Sequence, residues 1–438
     1  MDKLHTALTI IEEQLSISAG LMHDVAARFQ AAMAAGLTGQ PSSLKMLPSF
    51  VGSPTGREQG KVVAVDFGGT NVRVLLVELN GAGRFNIVDR RSFPLKDKYG
   101  SYDYTSSSAT GPELFDFIAS KIAEIVSPGD IYPLGHTFSF PCRQYGVNEA
   151  VLISWTKEIK TAGVEGHNVG RLLQDALERK GIGHVKSQAV INDTTGTLLA
   201  AAYIDATTDI AAICGTGHNS CYLELCHPLT SRPMVVNMES GNFDGVPQTK
   251  YDVLLDQSSE KPDAQKLEKM ASGQYLGEVV RLIVRELVTE ADMAKDSDRV
   301  HIPYSLLTED LSVIIADDSP ELAAVAKIAT DRWGLTELSI SALTAIKTVA
   351  ILVATRSARL VAATWAGTLM HIDPGLARRH TIAVDGSLYE KMPGYADNLS
   401  KAMAEIFGDR ACQVVIRLSK DGSGVGAAIA AATVYNLK

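Results

Sequence analysis

The sequence KVVAVDFGGTNVRVLLVEL occupies residues 61–79 and contains two apolar runs on either side of a glycine-rich turn. Lys61–Phe67 and Val72–Leu79 are rich in valine and leucine, which predicts two buried strands. Only four residues separate them, Gly68-Gly69-Thr70-Asn71, so the pattern predicts a β-hairpin rather than a junction between a strand and a helix. Neither a GxxxxGK[ST] loop nor a GxGxxG motif follows the first strand, so neither a P-loop nor a dinucleotide fingerprint is indicated.

Strands and helices alternate along the rest of the chain. A helical region fills the first 40 residues, and a connection with several prolines and glycines, 41–60, leads into the first strand. The other predicted elements are helices over Glu113–Val126, Gly170–Lys180 and most of Pro262–Met370, strands over Tyr132–Phe140, Ala189–Ile191, Thr381–Val384 and Cys412–Leu418, a second hairpin pairing Ile210–Cys214 with Cys221–Leu225, and a C-terminal alanine-rich helix. A glycine-turned hairpin followed by alternating strands and helices in each half predicts two related α/β domains with a cleft between them.

The composition is that of a globular protein. The chain has 438 residues, of which 46% are hydrophobic and 21% charged, so it is long enough for two or three domains. With 41 Lys and Arg against 50 Asp and Glu, the formal net charge is −9. This balance argues against a nucleic-acid partner, because counterion release needs clustered basic residues. It still permits phosphate-bearing small molecules, which backbone amides and Mg²⁺ can hold.

The cysteines and the apolar segments bear on the cell compartment. Five cysteines without a CxxC pair argue against a disulfide framework or a zinc ribbon and are typical of a reducing cytosol. No apolar signal-peptide segment follows Met1, and Lys347, Arg356 and Arg359 interrupt the most apolar run. These features predict a cytoplasmic protein without a membrane partner, and they leave its oligomeric state open.

The first glycine-rich turn is a candidate phosphate site. Glycines such as Gly68 and Gly69 at a hairpin tip let backbone N–H groups approach a phosphate that a Cβ would exclude. Asp66, at the end of the first strand, could hold Mg²⁺ through water, because Mg²⁺ favours one or two carboxylates together with phosphates. On these residues alone, a turn that serves only the hairpin is about equally favoured.

Two further strand ends carry candidate chemistry. Thr216 and Gly217 lie in the second hairpin turn; one such turn alone is weak evidence, but two turns facing across a cleft would hold ATP between them. Asp193 follows a short buried strand, where it could accept the proton of an attacking hydroxyl. The alternative is structural: Asp193 or Thr194 would be the N-cap of a helix over Leu198–Tyr203.

Polar side chains interrupt several apolar runs. Hydroxyl, amide and carboxylate groups at strand ends are the donors and acceptors that a polyhydroxylated ligand requires. Each of them alone is more often a surface or capping group, so only the set is informative. The set comprises Ser139, Thr156, Lys157, Asn237, Glu239 and Glu268.

Taken together and in order, these motifs resemble the hexokinase family of eukaryotic type. The resemblance spans about residues 44–430. It rests on the segments Leu44–Pro48, Asp66–Asn71, Thr137–Cys142, Trp155-Thr156-Lys157, Gly163–Gly166, Asn192-Asp193-Thr194, Gly215–Asn219, Lys269–Glu278, Val384–Tyr389 and Asp421–Gly424.

The resemblance implies a fold and an activity. The implied fold is the two-domain actin-like ATPase (ribonuclease H-like) α/β fold, with a cleft between a small and a large domain. The small domain would comprise 61–192 plus 424–438, and the large domain 1–60 plus 193–423. The implied activity is ATP-dependent phosphorylation of a hexose at its 6-hydroxyl, with glucose first, then mannose or fructose, and with ATP and Mg²⁺ as cofactors.

The resemblance also implies roles for individual residues. Asp193 is similar to the family's general base, and Arg73 and Lys157 are placed like the cations that offset charge on the transferring phosphoryl group. The residues similar to sugar ligands are Ser139, Thr156, Lys157, Asn192, Asp193, Asn219, Glu239 and Glu268. Those similar to nucleotide ligands are Gly68, Gly69, Thr70, Asn71, Thr216, Gly217, Gly386 and Ser423.

Four positions depart from the family pattern. Val72 replaces a phenylalanine, Glu158-Ile159 a Gly-Phe pair, Ser240 a tryptophan beside the sugar-binding glutamate, and Val425 a basic residue. None removes a group expected in catalysis, although the changes at 158 and 240 leave sugar selectivity open.

Two rival functions differ in the residues that they require. An ATPase of the same fold would not need the sugar-type polar set, and a non-catalytic sugar sensor would not need Asp193 and two phosphate hairpins.

Overall fold

The computed structural model describes residues 3–156, 158–295 and 297–435 and shows an α/β protein built on two large sheets. The strands are β1 (Leu47–Pro48), β2 (Gln59–Phe67), β3 (Asn71–Gly81), β4 (Arg84–Pro94), β5 (Tyr132–Phe138), β6 (Cys142–Gly146), β7 (Glu149–Leu152), β8 (Val185–Ile191), β9 (Thr208–Cys214), β10 (His218–Glu224), β11 (Met234–Asn237), β12 (His380–Asp385) and β13 (Val414–Leu418).

The helices lie on both sides of these sheets. They are α1 (Lys3–Leu15), α2 (Ala19–Leu37), α3 (Gly111–Ala123), α4 (Val169–Arg179), α5 (Asp193–Ile204), α6 (Lys250–Ser258), α7 (Lys266–Ala271), α8 (Gly273–Glu290), α9 (Thr308–Ala316), α10 (Ala323–Ile328), α11 (Ile340–Ile372), α12 (Ser387–Lys391), α13 (Tyr395–Phe407) and α14 (Gly422–Tyr435).

The first hairpin opens a five-stranded sheet of order β4-β3-β2-β5-β8. β2 pairs antiparallel with β3 and parallel with β5, which is in turn parallel to β8. Every residue of β5 is buried, as is the second half of β2, because helices cover both faces of a parallel sheet. On one face, side chains such as Val65 pack with Leu114 of α3 and Leu173 of α4.

The second hairpin lies in a six-stranded sheet of order β1-β11-β10-β9-β12-β13. β9 and β10 are antiparallel, whereas β12 runs parallel to both β9 and β13. On one face, residues such as Ile210 and Val384 pack in a core with α2, α8, α11 and α13. On the other face, Ala211 and Ala383 pack with α5 and α14. Each glycine-turned hairpin therefore belongs to its own sheet, as the sequence predicts.

Helices α5 and α14 fill the space between the two sheets. One apolar core contains side chains of both helices together with Ala64 of the first sheet and Ala211 of the second. The contact with the first sheet is close, since a Cβ on Gly135 of β5 would lie 1.8 Å from the carbonyl oxygen of Ala427. Small residues in α14 are needed at such a distance, which explains the alanine-rich composition of this helix.

Helix α11 is the longest described helix, with 33 residues. By length and composition it could cross a membrane, but more than half of its most apolar window is buried inside the protein. Arg356 on this helix is 3% exposed and donates hydrogen bonds to both carboxylate oxygens of Asp252, at 2.9 and 2.6 Å. This burial and ion pair are those of a core helix, and the absence of a membrane partner stays a prediction.

Several predicted element ends differ from the structure. The strand predicted over Tyr132–Phe140 ends at Phe138, so Ser139 lies just beyond it, and the strand predicted from Cys412 begins at Val414, after a 3₁₀ helix. β4 was not predicted, because polar residues interrupt its apolar ones and each of its residues is only intermediate or exposed at the sheet edge. The residue limits of the two domains stay a prediction.

Candidate active site

The first hairpin meets the start of α14 at Asp66. This carboxylate accepts a hydrogen bond from Ser423 Oγ at 3.0 Å and lies 3.3 Å from a guanidinium nitrogen of Arg73. Asp66 is only 7% exposed, and this burial raises the pKa of its carboxyl group. Ser423 and Arg73 lower the pKa again, whereas the charge of Asp193 raises it further. A cation next to Asp66 would stabilise its charged form, in agreement with the predicted Mg²⁺ role.

The turn of the first hairpin presents the predicted phosphate ligands. Thr70 and Asn71 are exposed, and Gly68 is exposed beside the buried Gly69. Gly69 has φ of +142°, a conformation that favours glycine. The Thr70 carbonyl accepts a hydrogen bond from the Leu95 N–H at 2.9 Å, which ties the turn to the chain following β4. The turn is therefore anchored at its base and open at its tip.

Asn192 and Asp193 lie where β8 passes into α5. Asn192 is the N-cap: its side-chain oxygen accepts the Thr194 N–H at 3.0 Å and the Thr194 hydroxyl at 2.6 Å. The structural alternative for this segment is therefore wrong, because neither Asp193 nor Thr194 is the cap and the helix begins well before Leu198. The half-buried Asp193 carboxylate accepts the Thr194 N–H at 2.7 Å.

Asp385, at the end of β12, lies near Asp193. Burial raises the pKa of the Asp385 carboxyl group, and the charges of Asp421, Asp193 and Glu390 raise it further. Its Oδ1 accepts the Gly386 N–H at 2.7 Å. The carboxylates of residues 66 and 385 thus both respond to the charge of Asp193, although they belong to different sheets. The structure therefore brings acidic groups from both sheets to the start of α5.

The second hairpin turn packs against Gly386. A Cβ on Gly386 would lie 2.4 Å from the carbonyl oxygen of Cys214, and its φ of +120° also favours glycine. Thr216 is exposed at the turn, and Gly217 is half-buried. The predicted nucleotide residues of the second sheet therefore adjoin one another.

Three polar side chains form a network beside the second hairpin. Asn219 Nδ2 donates to Asn237 Oδ1 at 2.9 Å, and Asn237 Nδ2 donates to Glu239 Oε1 at 2.8 Å. Asn219 Nδ2 also lies 3.5 Å from the Thr194 hydroxyl, next to Asp193. This network links the predicted sugar ligands of the second sheet to the start of α5.

Glu268 on α7 completes this side of the site. Its Oε2 accepts the His218 N–H at 2.9 Å. Burial raises the pKa of the Glu268 carboxyl group; the His218 N–H opposes this, and the charge of Glu239 adds to it. The two glutamates therefore lie close enough to repel each other. A ligand that donates hydroxyl hydrogens between them would relieve this repulsion.

The remaining predicted sugar ligands come from the first sheet. Ser139 follows β5, and its N–H donates to the Phe67 carbonyl at 3.3 Å. Thr156 is half-buried next to Trp155, whose indole packs on Phe140 with ring centroids 4.9 Å apart. Lys157 lies outside the described residues. Ser139 and Thr156 thus lie at the end of the first hairpin's sheet, on the other side of the site from the network of Asn219, Asn237 and Glu239.

A cavity of about 880 Å³ adjoins the first hairpin turn. Its lining includes residues 69–71 of the turn, the loop with Lys96 and Lys98, and Glu158 and Lys160. Glu158, which replaces a family glycine, has φ of +66°. This conformation favours glycine and is strained for other residues. The departure at 158 thus lies in the wall of the cavity beside the first hairpin turn.

Comparisons with known proteins identify the family of this chain. Residues 7–203 and 209–433 match the two family models described as hexokinase. The chain belongs to the hexokinase family. It is 36% identical over 453 residues to Hexokinase-1 of Schizosaccharomyces pombe, an alignment that covers 98% of this chain and 91% of that protein.

Two solved structures extend the comparison. A hexokinase crystal structure at 32% identity has a TM-score of 0.88, with 98% of this chain and 99% of that chain covered. A Schistosoma mansoni hexokinase complexed with glucose, at 33% identity, has a TM-score of 0.81 over 98% and 99% of the two chains. The predicted two-domain actin-like ATPase-type fold and the predicted hexokinase activity, ATP-dependent phosphorylation of a hexose, are therefore confirmed at the level of the family.

Two residues of the site were not among the predicted ligands. Asn237 was noted only as part of a polar set, yet it donates the hydrogen bond that fixes Glu239. Asp385 begins a recognisable Asp-Gly-Ser turn, but of that turn only Gly386 was assigned to the nucleotide. The signal was present in both cases, since each is a polar residue that ends a buried strand.

The donor set also fits a water-mediated metal. Among the described residues, no group of three or more His, Cys, Asp or Glu side chains is arranged to hold a metal ion. Mg²⁺ keeps several of its waters and binds through one or two carboxylates plus substrate phosphates. The buried Asp66 next to the first hairpin turn suits that mode of binding.

Proposed function

We propose that this hexokinase-family chain transfers the terminal phosphoryl group of ATP to the 6-hydroxyl of a hexose, with glucose as the first acceptor and mannose and fructose as further ones. The observation that carries the proposal is the position of Asp193. Its charge acts on both Asp66 and Asp385, one from each sheet. The adjacent Thr194 hydroxyl lies 3.5 Å from Asn219, the first member of the polar network. Nucleotide-type and sugar-type groups therefore adjoin the same carboxylate.

The chemistry needs little covalent participation by the protein. Phosphoryl transfer requires alignment of the acceptor hydroxyl, removal of its proton and stabilisation of charge on the transferring group. In this proposal Asp193 accepts the proton of the 6-hydroxyl. Arg73 and Lys157 offset the charge of the phosphoryl oxygens.

The sugar is held by hydroxyls, amides and carboxylates. Its hydroxyl groups are donors and acceptors at once, so they pair with side chains of both kinds. The hydrogen bonds within the network of Asn219, Asn237 and Glu239 support this role, because they fix the side chains before a ligand arrives. The proposed ligands are Ser139, Thr156, Lys157, Asn192, Asp193, Asn219, Glu239 and Glu268.

The nucleotide is held by the two hairpin turns and the elements that pack on them. Gly68, Gly69, Thr70 and Asn71 bind phosphate from one sheet, and Thr216 and Gly217 from the other. Gly386 and Ser423 border the nucleoside. Asp66 holds Mg²⁺ through water, and the metal ion, when bound, neutralises charge on the phosphate oxygens.

The cellular setting and the domain limits are part of the same proposal. The small domain comprises 61–192 plus 424–438 and the large domain 1–60 plus 193–423, a division supported by two sheets that each have their own helical cover. The enzyme acts in the cytoplasm, and the free state of all five described cysteines supports a reducing compartment.

A coupled assay with purified protein tests the proposal. Glucose, mannose and fructose are each supplied with ATP, with Mg²⁺ present or omitted, and the phosphorylated position is read by NMR. We expect sugar-dependent ADP release, a 6-phosphate product and loss of turnover without Mg²⁺. ADP release at the same rate with and without sugar would contradict the proposal.

A further inference from the structure

The segment that carries Glu268 also holds the second hairpin turn. His218 N–H donates to Glu268 Oε2 at 2.9 Å. Immediately after α7, the N–H groups of Gly273 and Gln274 donate to the carbonyls of Gly215 and Thr216, at 2.8 and 3.0 Å. Three positions in and beside the turn, 215, 216 and 218, are therefore bonded to α7 and the start of α8.

The Glu268 side chain fills the space between the second hairpin turn and the segment 239–241. A Cβ on Gly217 would lie 3.0 Å from Glu268 Oε2. On the other side, a Cβ on Gly241 would lie 3.1 Å from Glu268 Cβ. Gly241 directly follows Glu239 and Ser240, next to the sugar-type network. The same side chain thus packs against the second hairpin turn, which is proposed to bind phosphate, and against Gly241, which lies next to the proposed sugar ligand Glu239.

Helix α7 is itself held by a buried ion pair to α6. Lys269, the residue after Glu268, is 4% exposed; its ammonium group donates to Asp256 Oδ1 at 2.5 Å and to the Lys261 carbonyl at 2.7 Å. Asp256 belongs to α6, so this buried ion pair joins the two helices. Breaking such a pair is costly, because it leaves a charge without a partner. The backbone of Glu268 is therefore held in place beside the second hairpin turn.

We propose that Glu268 is a positioning residue for the phosphate turn as well as a sugar ligand, and that it couples the binding of sugar to the binding of nucleotide. The inference rests on the proposed function, which assigns the sugar to Glu268 and the phosphates to residues 216 and 217.

The sign of the coupling follows from the two carboxylate oxygens. Oε2 is bonded to the second hairpin, whereas no hydrogen bond from the described residues reaches Oε1. A sugar hydroxyl that donates to Oε1 restricts the side chain and favours its charged form against burial. The second hairpin turn is then more rigid, so nucleotide binding loses less conformational entropy. Because linkage is reciprocal, nucleotide strengthens sugar binding by the same factor.

Equilibrium binding of MgADP by calorimetry tests the proposal, first without sugar and then with saturating glucose. The variants are Glu268→Ala, Glu268→Gln and, as the matched control, Glu239→Ala. The control removes a neighbouring sugar-side carboxylate that makes no contact with the hairpin turn 215–217 among the described residues. Thermal melting of each variant reports whether it is folded.

In the wild type we expect glucose to tighten MgADP binding at least about fivefold, the lower end of typical coupling. Glu268→Ala should weaken MgADP binding about fivefold or more even without sugar, and should reduce the coupling to about onefold. Glu268→Gln, which keeps an oxygen for the His218 N–H but loses the charge, should have a smaller effect. Without sugar, Glu239→Ala should lose less MgADP affinity than Glu268→Ala, because Glu239 is not bonded to the turn 215–217 among the described residues.

The results that would overturn the inference are separate from those that would overturn the function. Unchanged MgADP affinity in both Glu268 variants, or an equal loss in the Glu239 variant, would refute the positioning role. If Glu268→Ala fails to fold, Glu268→Gln decides, since normal coupling in that variant would also refute it. If the wild type binds MgADP but no hexose, the proposed function fails, while the sugar-free measurements still test the link between Glu268 and the turn.

Discussion

A Cβ atom on Gly426 of α14 would lie 1.9 Å from the carbonyl oxygen of Gly196 in α5, so the two helices touch backbone to backbone. This contact lies between the two sheets. Helix α14 begins next to Ser423, which donates to Asp66, and α5 begins at Asp193. The contact therefore sets the spacing between Asp66, the proposed Mg²⁺ ligand, and Asp193, the proposed base.

Gly426→Ala should destabilise the protein and weaken nucleotide binding. The added methyl group meets backbone atoms that cannot rotate away, so α14 must shift relative to α5. We expect a loss of about 1–3 kcal/mol in the free energy of unfolding, measured by urea denaturation. Displacement of Ser423 should also raise the KM for ATP more than the KM for glucose.

Gly20→Ala is the matched control for this substitution. Gly20 lies in the first turn of α2, and a Cβ there would have only the Ser18 hydroxyl oxygen within 4 Å, at 3.9 Å. Since alanine is the better helix former, the control should be neutral or slightly stabilising. Equal stability of the Gly426 and Gly20 variants would show that the helix contact tolerates a methyl group.

Glu268→Gln should raise the melting temperature at neutral pH. Burial raises the pKa of Glu268 above its ordinary value of 4.5, so the protonated form favours the folded state. That favourable contribution is complete below the unfolded pKa and is lost as the pH rises through the folded pKa. Glutamine stays neutral at every pH, so its advantage should be largest near about pH 8 and should narrow towards about pH 5.

The control for this pH dependence is Glu13→Gln, on an exposed position of α1. This variant should melt like the wild type throughout the range. A difference between Glu268→Gln and wild type that does not change with pH would show that the carboxylate is not destabilised by its surroundings. Together with the binding measurements, higher stability and weaker coupling in one variant would mark Glu268 as a group kept for function.

Asn237→Ala should weaken sugar binding through Glu239. The variant removes the 2.8 Å bond to Glu239 Oε1 and the acceptor of the Asn219 amide. A hydrogen bond to a charged group contributes about 1.5–3 kcal/mol, so the glucose KM should rise by at least about tenfold. The KM for ATP should change by less than about twofold, because the turn 215–217 keeps its own bonds to α7 and α8.

Asn237→Asp distinguishes positioning from simple packing at the same site. It keeps the size and one acceptor of the side chain but places a second carboxylate beside Glu239. We expect the glucose KM of this variant to rise as much as that of the alanine variant. A normal KM in the aspartate variant, measured in parallel steady-state assays, would contradict the positioning role of the Asn237 amide.

Much of the fold could be predicted because its central strands are buried on both faces. Val62–Phe67 and β5 are mostly apolar and buried throughout, and glycines mark both hairpin turns, so local sequence and tertiary position agree. β4 could not be predicted in the same way. Its alternating polar residues, such as Arg90, are stabilised by partners distant in sequence, in this case the Asp421 carboxylate at 2.8 Å.

The site was predictable in its residue types but not in its connections. Glu239 and Glu268 were predicted because polar residues among apolar ones stand out, whereas Asn192 was predicted as a ligand from the resemblance to the hexokinase family. That Glu268 binds the backbone of His218, 50 residues earlier, could not be read from any local pattern. Neither could the link from Asn219 to Thr194, which depends on how the second sheet packs on α5.

Asp193→Asn should abolish most turnover and leave the fold and the sugar affinity nearly unchanged. The side chain lies half-buried at the start of α5, where its charge raises the pKa of both Asp66 and Asp385. Because Asn192 is the cap of α5, its bonds to Thr194 remain when Asp193 changes, and the helix start keeps its structure.

The loss of a general base in Asp193→Asn should lower kcat about 10²–10⁴-fold, which single-turnover phosphate transfer to glucose would measure. Glucose affinity from calorimetry should fall by less than about tenfold, since an asparagine oxygen still accepts a hydroxyl hydrogen. A kcat within about tenfold of wild type would show that another group takes the proton, and a melting temperature well below wild type would show that Asp193 is needed for the fold.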